Sequence, residues 1–196
     1  NNLNSAIDEV ETKMIDKKSK SYQAWLSYDQ LSEKYLDKFK QILNNVSLLG
    51  NSAVSSSIRE ELNRAFSKFL DSNFTLNIRP EAKDQVIFAA QSDLKEIAAV
   101  NTQLEKSLKE INFEGYIIKY FEENDLLIVT SKTDKGLLYG AFALFREIQQ
   151  ENNLKELDLL SNPKNNLRML NHWDNLDGSI ERGYAGKSIF YKDNNL

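Results

Sequence analysis

The sequence contains no cysteine in 196 residues, which excludes disulfides, thiol catalysis and cysteine-held zinc or iron–sulfur sites. It has a single histidine, His172, so a metal site built from several imidazoles is excluded as well. No run of about 18 apolar residues occurs, and no helical membrane span is expected. Basic blocks are missing too. Lysines are interleaved with Asp and Glu, and the net charge of −4 does not favour nucleic acid as a partner. Proline is nearly absent, with Pro80 and Pro163 as its only positions, so each reads as punctuation. Glycine is sparse, and three of the seven fall between Asn171 and Phe190. What remains is 41% hydrophobic and 28% charged residues, ordinary for a globular chain of one domain, or one domain and part of another. The start at Asn1 rather than Met is compatible with a removed leader and tilts expectation toward a periplasmic or secreted protein.

Residues 1–20 (NNLNSAIDEVETKMIDKKSK) are polar and weakly periodic and read as an extension. YQAWLSYDQL (22–31) reads as an opening strand or short buried segment, and QILNNVSLLG (41–50) as a strand closed by Gly50 and Asn51. Ser57 and Glu60 have the spacing of a capping box, followed by Ile58, Leu62, Ala65, Phe66, Phe69 and Leu70 at helical spacing. FTLNI (74–78) alternates as a strand and stops at Pro80, and QVIFAA (85–90) is apolar throughout, as an interior strand is. A helix is expected around 101–111, with Thr102 and Glu105 as a second capping box and Leu104, Leu108 and Ile111 on one face. GYIIKYF and LLIVTS flank Glu122–Asp125 as a β-hairpin. Thr133 or Asp134 caps a helix running to about Gln150, its stripe formed by Leu137, Ala141, Leu144, Phe145 and Ile148. Mixed strands and helices with a hairpin predict an α+β domain, a small mixed sheet with helices packed on one face. The expected organisation is an extension (1–20), an accessory domain (21–152), a linker (153–166) and a separate unit (167–196).

Three features carry chemistry or its imitation. Gly136 and Gly140 form a GxxxG, but inside the helix and without a following Lys-Ser/Thr, so they read as close helix packing rather than a phosphate loop. Glu122, Glu123 and Asp125 lack the alternating ligands of a calcium loop and read as a solvated turn. NHWDNLDGSIERGYAGKSIF (171–190) is denser. Trp173 offers an apolar platform for a sugar face, and Asp174, Asn175, Asp177, Glu181 and Arg182 offer partners for hydroxyls. Arg182 and Lys187 suit a carboxylate. Two readings stand side by side: a saccharide site, or a loop whose polar groups satisfy one another. His172 beside Trp173 reads as a packed, hydrogen-bonded residue.

LRMLNHWDNLDGSIERGYAGKSIF (167–190) closely resembles the start of the catalytic barrel in family 67 glycoside hydrolases, the xylan α-glucuronidases. AWLSY (24–28), REELNRAF (59–66), GYIIKYF and DKGLLYGAFALFREIQ (134–149) resemble segments of that family's N-terminal domain. The resemblance covers about residues 22–192. It implies a hexosaminidase-like N-terminal domain and then the first strand of a truncated (β/α)8 barrel. It also implies inverting hydrolysis of the α-1,2 bond of (4-O-methyl)glucuronic acid on xylooligosaccharides. The catalytic carboxylates are expected beyond Leu196, with none in this chain. Substrate contacts are carried over to Trp173, Asp174, Asn175, Glu181 and Arg182, because barrel chemistry sits at the C-terminal ends of the strands. The resemblance implies no cofactor and no metal, a glucuronic-acid-substituted xylooligosaccharide as ligand, and a homodimer formed through C-terminal regions absent here. The rival expectation is a non-catalytic module that binds carbohydrate or protein.

Overall fold

The computed structural model describes residues 26–72, 74, 76–80, 85–165, 167–169, 174–179, 188 and 191, with the side chains of 96 and 98–102 left aside. Their order is α1 (Glu33–Leu43), β1 (Val46–Leu48), α2 (Ala53–Leu70), β2 (Leu76–Asn77), β3 (Val86–Ala90), α3 (Ala98–Glu110), β4 (Tyr116–Phe121), β5 (Leu126–Ser131), α4 (Asp134–Gln149) and β6 (Asp158–Ser161). The six strands form one mixed sheet in the order β2-β1-β3-β5-β4-β6. β1 pairs in parallel with β2 and β3, and β3 with β5, whereas β4 is antiparallel to both β5 and β6. The α+β mixed sheet is as expected, and the chain divides into two compact units, residues 1–162 and 163–196.

The apolar runs dictate which strands lie inside. β3 and β5 are buried at every position, because both of their faces are covered. On one face, α1, α2 and α4 pack Phe39, Leu43, Ile58, Leu62, Phe66, Phe69, Leu137 and Phe145 against Val46, Leu48, Phe88, Ile118 and Val129. The other face is not bare. α3 and the turn before it seal it with Leu94, Leu104, Leu108 and Ile111 over Ile87, Ala89, Ile117 and Ile128. The expected one-sided arrangement is therefore corrected to three helices on one face and one on the other. The alternating residues of β3 are apolar on both sides, so each side needs a cover.

Several local expectations move. Ile42 and Leu43, expected in a strand, end α1, and the strand is only Val46–Leu48. Residues 26–31 of YQAWLSYDQL carry no strand and lie as a strap, with the Leu31 N–H donating to the Phe69 carbonyl; residues 22–25 fall outside the described residues. The cap of α2 is Ser52, whose side chain accepts from the Ser55 N–H at 3.0 Å, so Ser57 sits one turn inside. α3 likewise begins at Ala98, before the expected box at Thr102. Thr133 does cap α4, accepting from the Gly136 N–H at 3.2 Å. The supposed linker 153–166 holds a 3-10 turn, Leu154–Glu156, and then β6, which pairs Leu159 with Ile118. Leu154 and Leu157 of that stretch are buried. In the second unit, residues 167–169 of the expected barrel strand are exposed and in no strand, and residues 170–173 fall outside the described residues, as does the 1–20 extension.

Candidate functional site

The C-terminal ends of parallel strands are where open α/β sheets usually hold ligands. At β5 that end is filled by the protein's own groups. The Ser131 hydroxyl at the end of β5 donates to the Gly115 carbonyl at 2.6 Å, and the Thr133 hydroxyl donates to the Phe113 carbonyl at 2.5 Å. Lys132 Nζ donates to the Ile111 carbonyl at 2.5 Å. Gly136 lets α4 close on this junction, since a Cβ there would collide with Ser131 Oγ and stand 2.6 Å from the Gly115 carbonyl oxygen. Gly140 lies over Val129 and Tyr116, with a Cβ only 2.9 Å from Val129 Cγ1. The GxxxG is thus a packing device, as its place inside the helix indicates.

The acidic hairpin turn is also accounted for. Asp125 sits in the left-handed region, φ 47°, and closes the Glu122–Asn124 turn. Its carboxylate accepts from the Tyr120 hydroxyl and from Lys155 Nζ at 2.7 Å, and Lys155 lies over the Tyr120 ring at 5.5 Å. Those hydrogen bonds, Lys155 first, hold the Asp125 carboxyl below its usual range, and Asp125 in turn raises Lys155. Partial burial, then the Asp125 hydrogen bond, pushes the Tyr120 phenol up. Among the described residues no group of three His, Cys, Asp or Glu is placed to hold a metal ion.

Open clefts lie on the described surface. One of about 270 Å³ is lined by residues of the strap, Leu26–Asp29, with Arg64 and Lys68. Another, of about 230 Å³, lies between Gln103 and residues 119–124. Beneath the first is a feature that sequence reading passed over. Glu61 is only 6% exposed, accepts from the Tyr28 hydroxyl at 2.9 Å and is paired with Arg64. Its signal was present: Glu61 falls beside Ile58, Leu62 and Ala65 on the inward face of α2, where a carboxylate needs partners. Tyr28 packs edge-on to Phe69 and Phe145, so the strap is held by both stacking and that hydrogen bond.

Of the sugar contacts expected from the sequence, Trp173, Glu181 and Arg182 lie outside the described residues, with His172 and Lys187. Asp174 is half-buried and Asn175 exposed. Asn175–Ser179 is a tight turn in which the Gly178 N–H donates to the Asn175 carbonyl at 2.9 Å and the Asn175 N–H to the Ser179 carbonyl at 2.8 Å. This is the three-residue loop ending in a left-handed glycine, and Gly178 has φ 83°. Asp177 accepts from the Ser179 hydroxyl at 2.6 Å and its N–H at 2.8 Å, which holds its carboxyl below the usual range. Asn175 Nδ2 donates to Ser179 Oγ at 2.9 Å. The side chains of Asn175 and Asp177 thus build the turn, which is what the self-satisfied loop reading requires of them.

The chain matches the family model described as glycosyl hydrolase family 67 N-terminus over residues 24–144, and the one described as that family's middle domain over 147–196. The join at 144–147 falls inside α4, sixteen residues before the boundary between the compact units, because β6 completes the sheet of the first unit. Alpha-glucuronidase A of Aspergillus tubingensis is 30% identical over 176 residues, 88% of this chain and 20% of that protein. A probable alpha-glucuronidase A of Aspergillus niger is 31% identical over 180 residues, again 88% of this chain and 20% of the relative. The chain therefore spans about a fifth of the length of these curated relatives. A solved GH115 4-O-methyl-alpha-glucuronidase with specificity for decorated arabinogalactans aligns over 53% of this chain and 13% of its own. Its TM-score is 0.42 and its identity 14%, a likeness too weak to bear on function.

Proposed function

The chain belongs to glycosyl hydrolase family 67, and from that premise we propose that it is the N-terminal part of an inverting α-glucuronidase. The observation that carries this reading is the succession of matches: N-terminal and middle domains of one family, in order, account for residues 24–196. The proposed reaction is hydrolysis of the α-1,2 bond that holds (4-O-methyl)glucuronic acid to a xylooligosaccharide. Inversion needs an acid to protonate the leaving oxygen and a base to activate water, with carboxyls about 6.5–9.5 Å apart. Both are assigned to the protein beyond Leu196. The substrate wall assigned to this chain is Trp173 as platform, with Asp174, Asn175, Glu181 and Arg182 as polar contacts. With one amide proton of Asn175 given to Ser179, its second amide proton can donate to a sugar hydroxyl and its Oδ1 can accept from one. A homodimer is assigned to the C-terminal regions, and the first unit to an accessory, non-catalytic role.

Incubating the full-length gene product with aldouronic oligosaccharides tests the reading. Release of glucuronic acid with inverted anomeric configuration by NMR is the expected result; no release sinks it. Titration of the 196-residue chain with xylooligosaccharides separates the alternative, a standalone binding module. Tight saturable binding by this chain favours the module, and its absence favours the enzyme part.

A further inference from the structure

The two faces of the sheet are unequally covered: three helices seal one, and α3 with the turn before it seals the other. The end left thin is β4–β6. Leu159 of β6 turns toward the well-covered face, so by alternation Leu160 points to the other, beside its cross-strand partner Ile117. Leu160 stays 43% exposed there, while Ile117 is buried. Phe113, in the loop before β4, is 73% exposed. That loop is tied to the end of β6: the Asn112 N–H donates to Asn162 Oδ1 at 2.7 Å, and Asn162 Nδ2 donates to the Glu110 carbonyl at 3.0 Å. The two exposed apolar side chains therefore flank one fixed junction.

The backbone of β6 adds a second feature. The Tyr120 N–H donates to the Leu157 carbonyl, so residues 157, 159 and 161 exchange hydrogen bonds with β4. The N–H and C=O groups of Asp158 and Leu160 consequently face away from the sheet, as on any edge strand. The Asp158 side chain is occupied by Lys119 at 2.6 Å. The junction thus presents two apolar side chains and a short row of backbone groups.

We propose that this junction, Phe113, Leu160 and the β6 edge, is a docking surface for the part of the same polypeptide that follows residue 196 in the full-length protein. The inference rests on the family reading, and its occupant follows from size. A standalone interface buries roughly 1,600 Å², far more than a four-residue edge and two side chains supply. A tethered neighbour needs much less, because the chain holds it at an effective concentration on the order of millimolar. The curated relatives carry about four-fifths of their length outside the matched stretch, enough for such a neighbour.

Hydroxyl-radical footprinting of the 196-residue chain and of the full-length protein reads the surface directly. The expected result is several-fold slower oxidation of Phe113 and Leu160 in the full-length protein, with unchanged rates at Ile78, exposed on the opposite edge. Equal rates in the two proteins overturn the proposal. So does protection that needs added oligosaccharide, which marks a sugar site, or protection that grows with protein concentration, which marks a second copy. The substitutions Phe113→Asp and Leu160→Asp in the full-length protein should restore fast oxidation at the unsubstituted partner. Glucuronic acid release by the same preparation checks the family reading separately, so either idea can fail alone.

Discussion

At Gly136 a single hydrogen separates a packed helix from a collision, because the β5 end and the Gly115 carbonyl leave no room for a methyl group. Gly136→Ala is expected to cost about 3 kcal/mol, the upper part of the range for overpacking. Gly140→Ala should cost less, since Val129 Cγ1 and the Tyr116 side chain can yield. Urea denaturation of both variants checks the order, and an equal or reversed order refutes the geometry. Tyr28→Phe removes the hydroxyl that satisfies Glu61 while keeping the ring between Phe69 and Phe145. A loss of about 1–2 kcal/mol is expected, because a buried acceptor loses a donor. Asp177 gives a pH test. Its folded carboxyl titrates below the ordinary aspartate value, so the turn's extra stability is present above that value and fades as pH falls through the lowered one. The Ser179 amide resonance should follow that acid transition by NMR and lose it in Asp177→Asn. Of these residues, the glycines were legible from sequence by their place within a helix. Glu61 was legible only as a misfit on an apolar face, since its partner Tyr28 lies 33 residues away.

Helix starts show how an element can be recognised and its end misplaced. The stripe from Ile58 to Leu70 identifies α2, yet two serines, Ser52 and Ser57, both suit a cap. The chain chooses Ser52 because β1 ends at Leu48 and Gly50, at φ 100°, turns it directly into the helix. Ser52→Ala should cost about 1 kcal/mol and Ser57→Ala near nothing; thermal denaturation that ranks them the other way restores the capping box. The hairpin was fully legible, because alternation and an acidic turn are local signals. β6 was not. DLLS is four residues of modest pattern, and only its pairing with β4, some forty residues earlier, makes it a strand.

For the whole molecule, that pairing moves the end of the first unit from residue 152 to 162. A chain ending at 152 leaves β4 paired with β5 alone, its outer edge open, and deletes the buried Leu154 and Leu157. At about 2–5 kcal/mol for each buried leucine, most of the 5–15 kcal/mol that holds an ordinary domain together would be gone. Circular dichroism should therefore find a chain ending at 162 cooperatively folded and one ending at 152 largely unfolded. Equal stability would return residues 153–162 to the role of linker.

The sequence by itself determined the family, the hairpin, the interior β3 strand and the glycine-lined helix α4. Each of these is written within one element or one contiguous motif, where periodicity and residue chemistry suffice. Tertiary structure alone decided that α3 seals a second face, that β6 completes the sheet, that Ser52 is the cap and that Asn175 and Asp177 bond to Ser179 within their own turn. The first three depend on which distant residues lie alongside, and the last on the backbone angles that bring Ser179 within reach. Local pattern carries neither kind of information, because burial and hydrogen bonding belong to the assembled chain.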